Sequence, residues 1–544
     1  MSRRPELRLP EGGGAGGQSA GRNPERDVRT EERRDGQNSG RKPKGDARTE
    51  ERRGASAPDA RTSAPGPHAG GKGAAPGGPA GGGRAAVRAR KSASARDIAL
   101  DALMRVEEAG AYSNLQLNRS LQEAALSRAD AGLATELVYG TIQRRLTLDY
   151  WLDKFVKGGS AKLQPWVRML LRLSVYQLAF LDRIPARAAI NEAVEIAKRR
   201  GHAGVSGMVN GVLRNIDRSR HELALPDDGD PVRRISLRHS YPEWLVTRWV
   251  DVYGEAAAEA ICAAGNETPR ASLRVNRLRA DRETVLRALR EAGYVAVPSA
   301  ASPWGVIVER GGHLAEAEGF RQGLWSIQDE SSMLVAEAAA PEPGMTVVDC
   351  CAAPGGKSAH LAEIMLGRGT VWANDVYPHK EQLIAGQAER LGLPNIRTET
   401  NDAAALDRVH GEATMDLVLL DAPCSGFGVI RRKPEIKWTK SPGDVEAIAA
   451  LQSRLLDTAA RLVKPGGTLV YSTCTIERAE NENQIAAFLA RHPVFERDAD
   501  WPAEVLAPLR RAGAADGDFR GEVQLLPQHF GSDGFYIARL KRRF

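Results

Sequence analysis

Five cysteines are spread over 544 residues, at 262, 350, 351, 424 and 474, and two of them stand in settings that suit chemistry. Cys424 lies in Asp421-Ala422-Pro423-Cys424-Ser425-Gly426-Phe427-Gly428, directly after the apolar run from Met415 to Leu420. Cys474 lies in Ser472-Thr473-Cys474, directly after Thr468 to Tyr471. A lone cysteine is ordinarily a small buried hydrophobe. Two cysteines at the ends of neighbouring strands are different, because both thiols then converge on one pocket although 50 residues separate them in sequence. Thiols so placed are candidates for nucleophilic chemistry, and residue type alone does not say which of them attacks.

The same half of the chain offers a ligand site. Met345 to Cys351 is apolar and β-rich, and Ala352-Ala353-Pro354-Gly355-Gly356-Lys357-Ser358 follows at once, leading into a helix through Leu361 and Ile364. Strand, glycine-rich turn and helix are how an open α/β sheet presents a ligand. The small residues let the ligand approach the backbone, and the helix N-terminus offers free N–H groups to a carboxylate. Phosphate is not the expected cargo: a Walker A loop needs glycine where Cys351 stands, and G-x-G-x-x-G is absent. The next strands, at 370–374, 396–400 and 415–420, are followed by Asp375, Asp402 and Asp421. One such acid alone is as well explained as a helix cap. Three of them beside a glycine turn read as a cofactor site, with Asp375 placed to accept hydrogen bonds from ribose hydroxyls. No C-x-x-C pair occurs, so no zinc module and no other metal is expected.

These residues need a scaffold. From 331 to 544 strands and helices alternate, which predicts a doubly wound α/β domain. Residues 226–330 open on Pro226-Asp227-Asp228-Gly229-Asp230-Pro231, a turn-rich boundary. Helices at 242–252 and 256–264, a strand at 271–276, a helix at 282–292 and a strand at 305–308 then predict a small connecting α/β subdomain. Asp329 or Ser331 is an ordinary N-cap for the helix that reaches Ala340. Residues 93–225 have helical spacing, with Ser94 as first N-cap and stretches at 115–126, 133–142, 167–181, 186–200 and 205–216, which predicts an all-helical bundle.

The formal charge of +7 is uneven: residues 1–92 carry +9, 93–225 carry +5 and 226–544 carry −7. Residues 1–92 lack Phe, Tyr, Trp and Ile and cannot bury enough apolar surface to offset chain entropy. They read as a disordered basic arm, either a solvated spacer or a salt-sensitive RNA tether. On the helical module Arg144, Arg145, Lys198, Arg199, Arg200 and Arg214 are candidate phosphate contacts. Arg432, Lys437 and Trp438 put cations beside an aromatic, as stacking and phosphate contact require. A solvated helix face or plain core packing is the competing reading for each.

AYSN at 111–114, ELVYGT at 136–141 and VNGVLRNI at 209–216 resemble the NusB-like RNA-binding fold. DCCAAPGGKS at 349–358, DAPCSGFG at 421–428, RRKPEIKW at 431–438 and STCT at 472–475 resemble the RNA cytosine-5 methyltransferase family. With the NusB-like front end, the chain is similar to the ribosomal subfamily acting on cytosine-967 of 16S rRNA. That resemblance implies a Rossmann-like domain with a mostly parallel seven-stranded sheet, S-adenosylmethionine as cofactor, and 16S rRNA or an assembling small subunit as partner. It implies Cys474 as the nucleophile on C6 of cytosine, Cys424 as the residue that assists adduct release, and Asp421 at N3. The backbone of Cys351, Ala352, Ala353, Pro354, Gly355, Gly356 and Lys357 would face the methionine end, Asp375 the ribose and Asp402 the adenine amino group, with Asp421 also lining the pocket. Cys350, Asn401 and the 92-residue arm depart from the usual family pattern.

Two other functions fit in part: a tRNA cytosine-5 methyltransferase, and a non-catalytic RNA-binding or assembly factor. The N-terminus is Arg- and Gly-rich without an apolar leader, and no uninterrupted apolar run of about eighteen residues occurs. A soluble, monomeric cytoplasmic protein without membrane contact is therefore expected.

Overall fold

The computed structural model describes residues 94–544, apart from 110–112, 125 and 227–228. The expected arm at 1–92, half of the AYSN motif and part of the turn before Pro231 lie outside the described residues. Among the described residues no helix is long and apolar enough to cross a membrane.

The first module is helical. Ser94 caps the helix Ala95–Ala109 reciprocally, its Oγ accepting the Asp97 N–H while the Asp97 carboxylate accepts the Ser94 N–H. Ser113–Glu123, Arg128–Gln143, Arg145–Phe155, Pro165–Phe180, Ala186–Arg200 and Ala203–Arg218 follow. Pro165–Phe180 is apolar on every side and forms the axis of the bundle, burying Leu170, Leu171, Leu173 and Val175. Arg145–Phe155 is a helix that the sequence pattern does not reveal. Only Arg144 separates it from the preceding helix, so no turn residue marks the break.

The connecting region divides where one subdomain is expected. Helices Pro231–His239, Glu243–Tyr253 and Glu255–Ala264 bury Ile235, Leu245, Trp249 and Ile261 against Phe427, Ile430 and Ile436, which belong to the carboxyl half. Asp230 caps the first of them through the Val232 and Arg233 N–H groups, with Pro231 in the first helical position. The remainder is an antiparallel sheet of β1 (Ala271–Val275), β2 (Val295–Pro298), β3 (Gly305–Arg310) and β4 (Trp325–Ile327), in the order β2-β3-β1-β4. Helix Arg282–Glu291 closes its core of Leu273, Val275, Leu286, Val306 and Trp325. The sequence pattern omits β2 and β4 because they are edge strands of four and three residues.

The carboxyl half is a sheet of β5 (Thr346–Asp349), β6 (Thr370–Asp375), β7 (Ile396–Thr400), β8 (Met415–Asp421), β9 (Val463–Thr473), β10 (Phe495–Arg497), β11 (Glu522–Leu525) and β12 (Phe535–Arg542). Its order is β10-β12-β9-β8-β5-β6-β7, with β11 also on β12. β7, β6, β5, β8 and β9 run parallel and β12 is antiparallel to β9. The sheet has eight strands where seven are expected, because its outer edge is shared: β11 pairs residues 535–538 of β12 and β10 pairs residues 540–542. Both faces are covered, because side chains alternate along a strand. Val347, Leu417 and Leu419 join one core with Leu361 of helix Gly356–Ile364. Val348, Val418 and Leu420 join the other with Leu455 and Leu456 of helix Pro442–Leu462. The chain winds from β5 out to β7 and then returns to β8, so the crevice between β5 and β8 is where such a sheet binds ligands.

Candidate active site

Asp349, Asp375 and Asp421 end the three adjacent strands β5, β6 and β8. Asp349 is fully buried, and Ser358, on the first turn of the next helix, donates to its Oδ2 at 2.6 Å while its Oδ1 has no protein partner. Burial pushes its carboxyl up to about 7, and the nearby Asp421 adds to the rise. A buried, unpartnered carboxylate oxygen is costly unless something binds it, and here it faces the turn at a switch point. Gly355 enters that turn at φ 101°, a conformation only glycine adopts without strain, and a Cβ there would press on Ile384. These residues can hold a cationic ligand close to the backbone. Asp375 Oδ1 accepts the Tyr377 N–H at 3.1 Å and lies 3.4 Å from Lys380 Nζ. Asp402 lies beyond β7, exposed, and caps a short 3-10 turn through the Ala404 N–H.

Asn374 laces these strand ends together. Its side chain donates to the Cys350 and Asn401 carbonyls and accepts the Asn401 N–H, which fixes the glycine turn relative to the loop carrying Asp402.

Asp421 sits between two donors, Lys357 Nζ at 2.7 Å and Ser472 Oγ at 2.7 Å. Burial alone would lower the Lys357 ammonium, but the Asp421 carboxylate more than offsets this and leaves it raised and charged. One step further, Cys424 Sγ and Cys474 Sγ are 3.3 Å apart. Parallel pairing of Asp421 with Ser472 sets this register, so both thiols emerge on the same crevice. Their environments differ. A hydrogen bond with the Cys424 thiol, with Lys357 and Lys433 nearby, holds Cys474 below the usual thiol range. The same hydrogen bond, burial and the Glu480 carboxylate push Cys424 well above it. Either sulfur can donate across this contact, and the Lys357 and Lys433 cations favour the Cys474 thiolate.

The two loops are knitted to each other. The Ser425 N–H donates to Glu480 at 2.8 Å, and the Ser425 and Thr475 hydroxyls bond at 2.7 Å. Gln452 holds both Glu480 and the Pro423 carbonyl. The Gly428 N–H donates to the Cys474 carbonyl, and the Gly534 N–H to the Gly428 carbonyl. A Cβ on Gly428 would meet Gly534 O at 1.9 Å and Cys474 O at 2.8 Å. Gly428→Ala is therefore expected to force the cysteine loops apart, with about 1–3 kcal/mol of stability lost and at least a tenfold loss of single-turnover rate. Thermal unfolding and rate are the readouts, and an unchanged rate would show the loops to be pliant.

The candidate RNA contacts differ in exposure, and most already have partners within the protein. Lys437 is fully buried, its ammonium donating to the Gln143 and Ser240 carbonyls and to Asn266 Oδ1, 4.0 Å from the Tyr241 ring. Trp438 donates to the Ile142 carbonyl at 2.9 Å, and Glu435 accepts the Ser113 N–H and hydroxyl. Arg432 is clamped by Asp329 at 2.6 Å and Asp533 at 2.7 Å, and Asp329 also caps its helix through Ser331. Arg144 bonds the Arg238 carbonyl beside Phe180, and Arg145 lies between Glu107 and Trp438. Arg199 and Arg200 pair with Asp97 and Asp101, and Lys198 with Glu195. Fully buried Lys437 is therefore no open phosphate contact, a correction to the expectation, while Arg432, Arg144 and Arg145 keep part of their side chains exposed beside these partners. Each cation already serves a joint between chain segments. Arg214 remains exposed on its helix.

The sequence pattern passed over Asp349, Ser472, Glu480, Gln452 and Arg274. Asp349 obeys the same strand-end rule that selects Asp375 and Asp421, so its signal was present. Arg274, on β1, is fully buried against Glu363 and reaches the Gly356 carbonyl from another subdomain, which no local pattern announces.

Three families match in chain order: "NusB family" over residues 93–218, "Methyltr_RsmF/B-like, ferredoxin-like domain" over 241–315, and "16S rRNA methyltransferase RsmB/F" over 336–541. The chain is 47% identical over 459 residues to "Probable ribosomal RNA small subunit methyltransferase B" of Bacillus subtilis, covering 83% of this chain and 100% of that one. It is 33% identical over 454 residues to "Ribosomal RNA small subunit methyltransferase B" of Cronobacter sakazakii, covering 84% and 100%. The crystal structure of PH0851 superposes with a TM-score of 0.69 at 28% identity, covering 82% of this chain and 98% of that one. With likeness running through all three modules and into the strand ends that carry the paired thiols, the chain is an enzyme of the 16S rRNA methyltransferase RsmB/F family.

Proposed function

We propose that the protein transfers a methyl group from S-adenosylmethionine to C5 of a cytosine in 16S rRNA, cytosine-967 by its resemblance, through a covalent thiolate adduct. The observation that carries this reading is the Cys424–Cys474 contact of 3.3 Å beside the Lys357–Asp421 pair. C5 of cytosine is a poor nucleophile until its ring loses aromaticity. Cys474 as thiolate forms a bond to C6, electrons move toward N3 as N3 takes a proton from solvent, and C5 becomes enamine-like. Asp421, oriented by Lys357 and Ser472, favours that protonated edge. When bound, S-adenosylmethionine would supply an electrophilic methyl group to C5, its sulfur keeping the electron pair of the broken S–CH3 bond and departing as the neutral thioether S-adenosylhomocysteine. Once Cys474 is bonded to C6, its thiolate charge and its hydrogen bond no longer hold the Cys424 proton, so Cys424 can release that proton to solvent and accept the C5 proton. The electrons of that C–H bond then restore the C5–C6 double bond and expel Cys474 as thiolate, and N3 returns its proton to solvent.

The residues present fit such a cofactor. The backbone of Cys351 to Lys357 suits its methionine end, with the unpartnered Asp349 oxygen available to the ammonium. Asp375 suits the ribose and Asp402 the adenine amino group. Asp375→Ala is expected to weaken S-adenosylmethionine binding about 10- to 100-fold, the worth of a charge-assisted hydrogen bond, and to leave RNA affinity unchanged. Calorimetry with each ligand tests this, and equal losses would remove the ribose role.

The test of the whole reading is transfer of labelled methyl to unmodified 16S rRNA, the assembling small subunit and tRNA, with the labelled base mapped. Label on C5 of a 16S cytosine is expected. Label on tRNA alone would transfer the reading to that substrate, and no transfer to any RNA would end it.

A further inference from the structure

Three chain segments from different modules meet beside the cysteine loop. They are helix Arg145–Phe155, the entry to helix Glu243–Tyr253, and the residues around Trp438. Between them lies a groove of about 600 Å³, within the range of sites that hold an organic ligand. Tyr150, Trp244 and Trp438 line it, with Arg233, Lys440 and a single acid, Glu243. All three rings are half-buried, so each keeps part of its surface open.

The rings are held in place. Trp438 is anchored through its N–H to the Ile142 carbonyl. Trp244 packs edge-on to Phe427, with ring centroids 6.0 Å apart, and Phe427 lies three residues after Cys424. Lys154, exposed one helical turn from Tyr150, places its ammonium 4.5 Å from the Tyr150 ring centroid. The groove therefore has aromatic walls and a rim on which cations outnumber the acid. It is one side-chain layer from the loop that carries Cys424.

We infer that this groove binds an unpaired stretch of the RNA that carries the target cytosine, its bases stacking on Tyr150 and Trp244 and its phosphates meeting Lys440. The inference rests on the reading of the protein as an RNA methyltransferase. Aromatic faces with flanking cations are the chemistry of single-strand binding, since every unpaired base offers a π-face and every phosphate a charge. A paired helix has no free base faces to offer. A target cytosine drawn toward Cys474 leaves its stack, and the groove gives a flanking base a replacement surface.

The test uses the full chain and a fragment of unmodified 16S rRNA carrying 5-bromouridine in place of uridine. Ultraviolet cross-links are expected in peptides containing Tyr150 or Trp244. Tyr150→Leu should weaken RNA binding about 10- to 100-fold. Lys440→Ala should reduce the slope of log affinity against log salt by about 0.7. Both side chains lie on the groove rather than in the cysteine loops, so S-adenosylmethionine binding should be retained in both variants. Trp244→Leu also disturbs Phe427 and serves only as a supplement. If wild type methylates the fragment, yet cross-links map elsewhere and Tyr150→Leu binds as wild type does, the groove is overturned while the activity stands. If wild type binds no RNA at all, groove and activity fall together.

Discussion

Cys474→Ala loses methyl transfer by at least about 10³-fold, the scale on which removal of a covalent nucleophile acts, whereas Cys424→Ala accumulates a protein–RNA adduct that survives denaturation. The expectation follows from the asymmetry around two thiols only 3.3 Å apart. Cys474 shares a hydrogen bond with its neighbour and lies near Lys357 and Lys433, both of which favour the thiolate. Cys424 is pushed up by the same contact, by burial and by the Glu480 carboxylate, so in the free protein it is the thiol that holds its proton. On the proposed mechanism, no bond to C6 forms without Cys474; without Cys424 the bond forms and C5 is methylated, but the C5 proton leaves slowly and the adduct persists. The two variants are compared with labelled S-adenosylmethionine and 16S rRNA, and adducts are read on denaturing gels. An adduct with Cys474→Ala and none with Cys424→Ala would exchange the two roles. The same asymmetry sets the pH course of alkylation in the free protein. Cys474 should remain reactive toward iodoacetamide below the ordinary thiol value of about 8.5, and Cys424 should not.

Arg274→Ala should cost about 3–5 kcal/mol of stability, the penalty for leaving a buried charge without its partner. Arg274 holds Glu363 through two hydrogen bonds of 3.0 and 2.8 Å, and both side chains are excluded from solvent. Its remaining nitrogen donates to the Gly356 carbonyl at 2.8 Å and to Gln328. Arg274 therefore ties β1 of the small sheet both to the helix behind the glycine turn and to the turn itself. Replacing the pair by Arg274→Met with Glu363→Met removes the unpaired charge, so most of the stability should return. The Gly356 tether stays broken, and S-adenosylmethionine affinity should stay low. Unfolding and calorimetry on the single and double variants separate the two effects. Normal cofactor affinity in the double variant would show that Arg274 supports the fold and does not position the turn.

Much of this was legible along the chain because it is local. Ser94 caps its helix as its side chain requires, and Asp329 does the same. The strand ends carrying Asp375 and Asp421 fall where apolar runs stop. The parallel order of five strands follows from alternation of strand and helix, which allows few windings. The losses are also physical. Helix Arg145–Phe155 has no turn before it, and β2 and β4 are too short for a period of two to register. The helices at 231–264 look like part of the subdomain that follows them, yet their apolar faces are completed by Phe427 and Ile436 from far along the chain.

The sequence by itself determined the chemistry available: two thiols, three strand-end acids and a glycine turn, each set by residue type and by a pattern only a few residues long. Tertiary structure alone decided what each group does with its charge. Lys437 has the composition of an RNA contact and ends as an internal joint, and Arg432 ends clamped by two acids, because carbonyls and carboxylates from distant segments meet them. Cys424 and Cys474 differ for the same reason. A thiol's ionisation and a cation's availability depend on burial and on neighbours within a few ångströms, and those neighbours are assembled only by folding.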